Sequence, residues 1–164
     1  MRESIPHGLK QFYFGTGNAL NHEECKKYLE GIKKWANKVT DYYQLIYFRL
    51  GKEEFEDILQ SAKHSHTIMF NACYIEIDSE CNFGDTLDGS TFKTLNFHCT
   101  GQIGYSNWNL DGREIKNIIE GLAKVASVKQ NLKEIYLRNC NITKDVASAI
   151  LKNGGFDDAK VTGI

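Results

Sequence analysis

The chain has 164 residues, 41% apolar and 25% charged, the make-up of an ordinary soluble globular protein and not of a disordered or fibrous one. Lys plus Arg (20) nearly cancel Asp plus Glu (21), so no overall field draws in nucleic acid or an anionic membrane surface. No apolar run approaches the roughly 20 residues that a membrane helix needs, which leaves a soluble or peripheral protein without membrane insertion.

Along the chain, segments of two periods alternate. The first strand pattern is LKQFYFGTG from Leu9. A helix follows from Asn21, with Cys25, Tyr28, Leu29, Ile32, Trp35 and Val39 on one stripe and Asn21 and Glu24 at capping-box spacing. YQLIYFRLG is a second strand, and KEEFEDILQSAKH a second amphipathic helix with Phe55, Ile58, Leu59 and Ala62 inward. The strand SHTIMFNAC precedes the acidic segment DSECNFGDTLDG, and the strand FKTLNFHCT precedes the loop GQIGYSNWNLDG. The third helix, DGREIKNIIEGLAKVAS, buries Ile115, Ile118, Ile119, Leu122 and Val125, with Asp111 and Glu114 again spaced as a cap. After the strand LKEIYLRNC a last helix starts at Thr143, uses Val146, Ala147, Ile150 and Leu151, and stops at Gly154 and Gly155. FDDAKVTGI is a candidate sixth strand, with Ala159 and Val161 inward. Pro6 is the sole proline and no linker divides the chain, so a single domain over 1–164 is expected. Strands separated by helices predict crossover units and a parallel sheet.

The strands align from Leu9, Tyr43, Ser65, Phe92 and Leu132. Their fourth places are then Phe12, Ile46, Ile68, Leu95 and Ile135, and their sixth places Phe14, Phe48, Phe70, Phe97 and Leu137. The ninth places, Gly17, Gly51, Cys73, Thr100 and Cys140, are all small. LKEIYLRNCNI therefore resembles the leucine-rich repeat signature L-x-x-L-x-L-x-x-N/C-x-L, and SHTIMFNACYI matches it apart from Ser65. The starts are 34 (9 to 43), 22 (43 to 65), 27 (65 to 92) and 40 (92 to 132) residues apart, and the eleventh places include Glu53 and Gln102, so the repeats are irregular; the leucine-rich repeats they resemble are the ribonuclease-inhibitor-like ones. This resemblance implies an α/β fold: a short leucine-rich-repeat-like solenoid of about five coils, parallel strands on the concave face and helices on the convex face. It also implies that Asn or Cys at the ninth place satisfies backbone groups between coils. The competing reading is an open α/β sandwich whose strands merely line up.

In this register the fifth and seventh places face outward. Tyr13, Tyr47, Met69, Asn96 and Tyr136 form one row, and Arg49, Asn71, His98 and Arg138, after Gly15, the next. Clustered Tyr and Arg on one surface point to a protein-binding face, against the alternative that these side chains only keep the sheet soluble. The expected function is a non-enzymatic protein–protein interaction or scaffold subunit, and ends without obvious capping modules suit a multisubunit assembly. A purely architectural subunit docking by convex helices and coil edges, or a nucleotide-binding α/β enzyme, are the alternatives.

Little chemistry competes with that reading. Gly15 and Gly17 sit between a strand and a helix, but Leu20 fills the third small place of a dinucleotide fingerprint and no acidic residue ends the second strand. His64, His66, His98 and Cys99 do not form a convincing zinc set, and DSECNFGDTLDG has Gly89 where a calcium loop needs a bidentate Glu, which leaves a solvated acidic loop. No catalytic elbow or metalloprotease helix occurs, so neither cofactor nor metal is expected. Cysteines 25, 73, 81, 99 and 140 lack CxxC spacing and MRESIPHGLK lacks a signal-peptide core, so reduced thiols in a cytoplasmic setting are expected, including a place in a cytoskeletal or organellar assembly.

Overall fold

The structure is a computed structural model that describes residues 9–15, 22–99 and 110–164. Its strands and helices follow the alternation of sequence periods. In chain order, β1 (Leu9–Gly15) leads to α1 (His22–Ala36), β2 (Val39–Ile46), a two-residue β3 (Arg49–Leu50) and α2 (Lys52–Ser61). Then come β4 (Thr67–Asn71), the short β5 (Tyr74–Ile75), a 3-10 turn over Gly84–Leu87 and β6 (Thr94–His98). The chain continues through α3 (Gly112–Ala123), α4 (Ala126–Asn131), β7 (Glu134–Arg138), α5 (Lys144–Asn153) and β8 (Lys160–Thr162).

Six strands form one sheet in the order β1-β2-β4-β6-β7-β8, every pairing parallel, while β3 and β5 make a separate two-stranded ladder. Each long strand pairs with the next, so every crossover steps the same way across the sheet. Parallel crossovers that step the same way and share one hand place their helices on one face. The other face is left to the alternate side chains.

The inner rows run straight across the sheet. Phe12, Tyr43, Ile68, Leu95, Ile135 and Val161 are neighbours in one row, and Phe14, Leu45, Phe70, Phe97 and Leu137 in the next. They join the buried faces of the helices in one apolar cluster that holds Phe48, Phe70 and Phe97 together. Phe55 of α2 wedges against Phe70 and Phe97, with ring centroids 5.2 and 6.0 Å away, and those two rings stack at 5.6 Å. Each such side chain contributes about 1.5–3 kcal/mol by leaving water.

Two register expectations are corrected. In β2 the residues beside Ile68 and Phe70 are Tyr43 and Leu45, not Ile46 and Phe48. The strand is slid by three residues, which exchanges its faces. Phe48 is buried all the same, because Tyr47 takes a left-handed turn (φ 64°) that sends the chain back inward. The slide also replaces Glu53 at the eleventh place with buried Leu50. In β8, Val161 stands beside Ile135 and so takes the fourth place, where Ala159 was expected.

Helix ends differ in detail. The Asp111 side chain accepts from the Glu114 N–H while the Glu114 carboxylate accepts from the Asp111 N–H, a full capping box. Thr143 caps α5, and Gly155 (φ 83°) supplies its left-handed stop. The third predicted helix breaks at Lys124, where extended, buried Val125 redirects the chain so that α4 can bury Val128. Val39 belongs to β2 and not to the first helix, and the expected Asn21 cap lies outside the described residues. The acidic segment is not simply solvated: Asp78, Asn82, Asp85 and Asp88 face water, but Cys81, Phe83 and Leu87 are buried. Gly121 lets α3 close on it, since a Cβ there would overlap the Cys81 carbonyl.

Candidate functional site

The outer face of the sheet consists of three rows, set by the parallel register. Gln11, Tyr42, Thr67, Thr94, Glu134 and Lys160 form the first. Tyr13, Gln44, Met69, Asn96, Tyr136 and Thr162 form the second, and Gly15, Ile46, Asn71, His98 and Arg138 the third. Most of these side chains are half-buried or exposed, whereas their inward neighbours in β2, β4, β6 and β7 are shut off from water. Tyr13 is 55% exposed at the β1 end, and Arg138 is exposed towards the β8 end.

Seven of the nine predicted site residues are brought together here: Tyr13, Met69, Asn71, Asn96, His98, Tyr136 and Arg138. Tyr47 and Arg49 are not, for the reason given by the β2 slide. Tyr47 sits in the turn beyond the strand. Arg49 lies in β3, where its guanidinium stacks 4.8 Å over the Tyr74 ring and pairs with Glu76 at 3.2 Å. Their places in the outer rows belong to Gln44 and Ile46, with Tyr42 one step earlier. The failure of Glu53 at an apolar place was the signal in the sequence that this strand is set differently.

Contacts on the face are graded from one end to the other. Over β2 and β4 it is closed: the Tyr13 and Tyr42 rings lie 5.3 Å apart, the Tyr42 hydroxyl donates to Met69 Sδ at 2.7 Å, and Gln44 and Met69 keep only 7% and 9% of their surface. Burial, then the Tyr13 hydroxyl, pushes the Tyr42 phenol up from its ordinary value. Gly15 belongs to this packing, since a Cβ there would stand 2.9 Å from Ile46 Cβ. Towards β7 the face is polar. The Glu134 carboxylate beside Tyr136 raises that phenol, and Thr162 donates to Glu134 at 3.2 Å. Partial burial, then the Arg138 charge, lowers the His98 imidazole below its ordinary value. Asn96 Oδ1, in the middle, is shut off from solvent yet accepts no hydrogen bond.

Where the strands end, the same backbone geometry recurs. Tyr47, Ala72 and Asn139, each directly after the last outer-row residue, have φ of 64°, 55° and 57°. The ladder continues one step past the ends of β2, β4 and β6: Tyr47 N–H donates to Asn71 O, Ala72 N–H to His98 O and Cys99 N–H to Arg138 O, at 3.1, 2.8 and 2.9 Å. One residue further on, Cys73 donates its thiol hydrogen to Leu45 O at 3.4 Å, and Cys140 Sγ stands 4.0 Å from Phe97 O, the corresponding carbonyl. Phe48 holds this place after β2 and offers no such donor; nearby, Cys25 of α1 accepts from Arg49 N–H at 3.1 Å. Ser65, the departure from leucine at a first place, donates to Val39 O at 2.9 Å from a fully buried site. Gly17 and Thr100 lie outside the described residues.

Among the described residues no three His, Cys, Asp or Glu side chains gather as a metal centre requires, and His64 and His66 are both exposed. No described helix is long and apolar enough to cross a membrane. An open groove of about 580 Å³ runs between α1 and α2, lined by charges of both signs, among them Lys26, Lys33, Glu54 and Asp57. Lys33 pairs there with Glu30 at 2.9 Å and Asp57 at 3.3 Å. A scan of the chain against protein-family models finds no match, and a search of curated proteins finds none.

Proposed function

We propose that this chain is a short leucine-rich-repeat-like solenoid of about five coils whose strand face binds a protein partner. Support for the repeat comes from recurrence: inward pairs such as Tyr43 with Leu45 and Ile68 with Phe70 at matched places, left-handed residues after three strands, and Cys73 and Cys140 each turned to a carbonyl of the preceding strand. Matched residues are 31 (12 to 43), 25 (43 to 68), 27 (68 to 95), 40 (95 to 135) and 26 (135 to 161) apart, mostly near the 20–29 of leucine-rich repeats. The longest interval contains α3 and α4, which insert without disturbing the strands.

The function is that of a non-enzymatic interaction or scaffold subunit in a larger assembly, working without cofactor or nucleic acid. Five free thiols support a cytoplasmic setting. The observation that carries this reading is the uncovered polar end of the outer face, where Asn96, His98, Tyr136 and Arg138 stand side by side on hydrogen-bonded strands. Groups held this way lose little freedom on binding.

Affinity purification from the native cell, with mass spectrometry of what is recovered, tests the proposal against a variant carrying alanine at Asn96, His98, Tyr136 and Arg138. Recovery of the partner falls at least about tenfold for two lost hot-spot contacts, while Tyr47→Ala with Arg49→Ala leaves it unchanged. Equal recovery by the folded outer-face variant overturns the reading. The charged groove between α1 and α2 favours a second one, an architectural subunit docked by its helices. Crosslinks concentrated in residues 21–38 or 111–129 would mark it.

A further inference from the structure

All five cysteines are free, and two of them face each other. Cys99 follows the last residue of β6, and Cys140 lies two beyond the last residue of β7. Their sulfurs are 3.3 Å apart. The backbone there is tied, because Cys99 N–H donates to Arg138 O. Adjacent strands about 4.8 Å apart, offset by one residue of about 3.3 Å, put the two Cα atoms about 6 Å from each other, within the span of a disulfide. Closing a bond requires the sulfurs to approach by a little over 1 Å, a side-chain movement.

The other thiols are differently placed. Cys73 and Cys81 are buried, and burial pushes both up to about 12. Cys25 is raised for the same reason and holds the Arg49 N–H. Cys99 goes the other way: the hydrogen that Cys140 donates outweighs burial, and the Leu110 N–H adds to it, while holding that hydrogen, then burial, pushes Cys140 up. Access differs as well. Cys140 is partly exposed, while Cys99 is sealed behind it.

We infer that Cys99 and Cys140 form a reversible modification site that closes to an internal disulfide by exchange with a small-molecule disulfide of the glutathione class. The pair first releases one proton to water, with the remaining hydrogen held between the two sulfurs. The shared hydrogen passes to Cys99, and the accessible Cys140, now the thiolate, attacks one sulfur of the small disulfide; that S–S bond breaks and a small thiolate leaves, taking a proton from water. Cys99 then gives its proton to water and attacks Cys140 Sγ, releasing the second small thiolate. The second thiolate also takes a proton from water, so that Cys99 and Cys140 together lose two electrons and two protons and the small disulfide ends as two thiols. The crosslink spans 41 residues and joins the strand ends that carry His98 and Arg138. It stands whether or not the outer face binds a partner.

The test uses the whole chain, folded, at neutral pH with oxidised glutathione, followed by acid quenching, alkylation and peptide mass spectrometry. The expected main product is a Cys99–Cys140 linked peptide without glutathione, reversed by dithiothreitol, with Cys25, Cys73 and Cys81 still alkylated as free thiols after unfolding. In Cys99→Ser the resolving thiol is missing, so glutathione accumulates on Cys140 at least about tenfold above its level in the parent chain. A parent chain that keeps glutathione on Cys140, that links another pair equally well, or that shows no Cys99–Cys140 link overturns the inference. The parent result decides even if the variant does not fold.

Discussion

The stretch from β4 to β7 and the stretch from β1 to β2 carry the same kind of pattern, yet they differ in how firmly the sequence sets them. In β4, β6 and β7, residues on one parity are apolar and those on the other are polar or Met, so the observed pairing Ile68, Leu95, Ile135 is the expected one. In DYYQLIYF both parities offer apolar side chains: Tyr43 and Leu45 on one, Ile46 and Phe48 on the other. Hydrophobicity cannot choose between them, and a slide by an odd number exchanges the faces. The difference teaches that register in this sheet is held by the polar residues that must stay out as much as by the apolar ones that go in.

Breaking the two regions should cost unequal amounts. Phe70→Ala removes a ring stacked on Phe97 and packed against Phe55 and is expected to lower unfolding stability by about 3–5 kcal/mol in a urea titration. Phe12→Ala, at the partly buried edge strand, should cost roughly 1–2 kcal/mol. Equal losses would mean that β1 is as tightly packed as β4. The slid register of β2 is sharpened by Tyr47, whose left-handed backbone favours glycine. Tyr47→Gly should be more stable than Tyr47→Ala by about 1–2 kcal/mol, the reverse of the ordinary order in a strand. If alanine proves the more stable, Tyr47 lies within the strand and the slide is wrong.

Smaller effects probe the better-set half. Asp111→Ala removes the capping-box bond that the Asp111 carboxylate accepts from the Glu114 N–H and should cost about 1 kcal/mol, read by thermal or urea unfolding. The smallest is electrostatic. Because burial and Arg138 lower the folded-state pKa of His98, the folded chain takes up that proton less readily than the unfolded one. Stability therefore falls as pH drops below about 6.5, until the folded midpoint is passed, and is unaffected by this group at higher pH. An NMR titration should give His98 a midpoint below the ordinary value, moving up in Arg138→Ala; a midpoint that ignores the substitution would mean the two side chains do not share the row.

Most of the candidate face was legible because β-alternation assigns side chains by parity alone: Asn71, Asn96, His98, Tyr136 and Arg138 follow from it once the inward residues are named. Gln44, Ile46 and Tyr42 were not legible, since their strand has no unambiguous inward set. The break after Lys124 was hidden for another reason. Val125 and Val128 fit one continuous helical stripe, and only the position of the core beneath them demands a redirected axis.

By itself the sequence determined the kind and order of the main elements, the parallel pairing implied by their alternation, the cap at Asp111, the start of the last helix at Thr143, and the apolar row through Ile68, Leu95 and Ile135. Those follow from local periodicity and from hydrogen-bonding needs met within a few residues. The tertiary structure alone decided the face of β2, the pairing of Arg49 with Glu76 and the meeting of Cys99 with Cys140. Each of these depends on which segments become neighbours across intervals of 25 residues or more, and there the balance is struck by shape and burial in three dimensions.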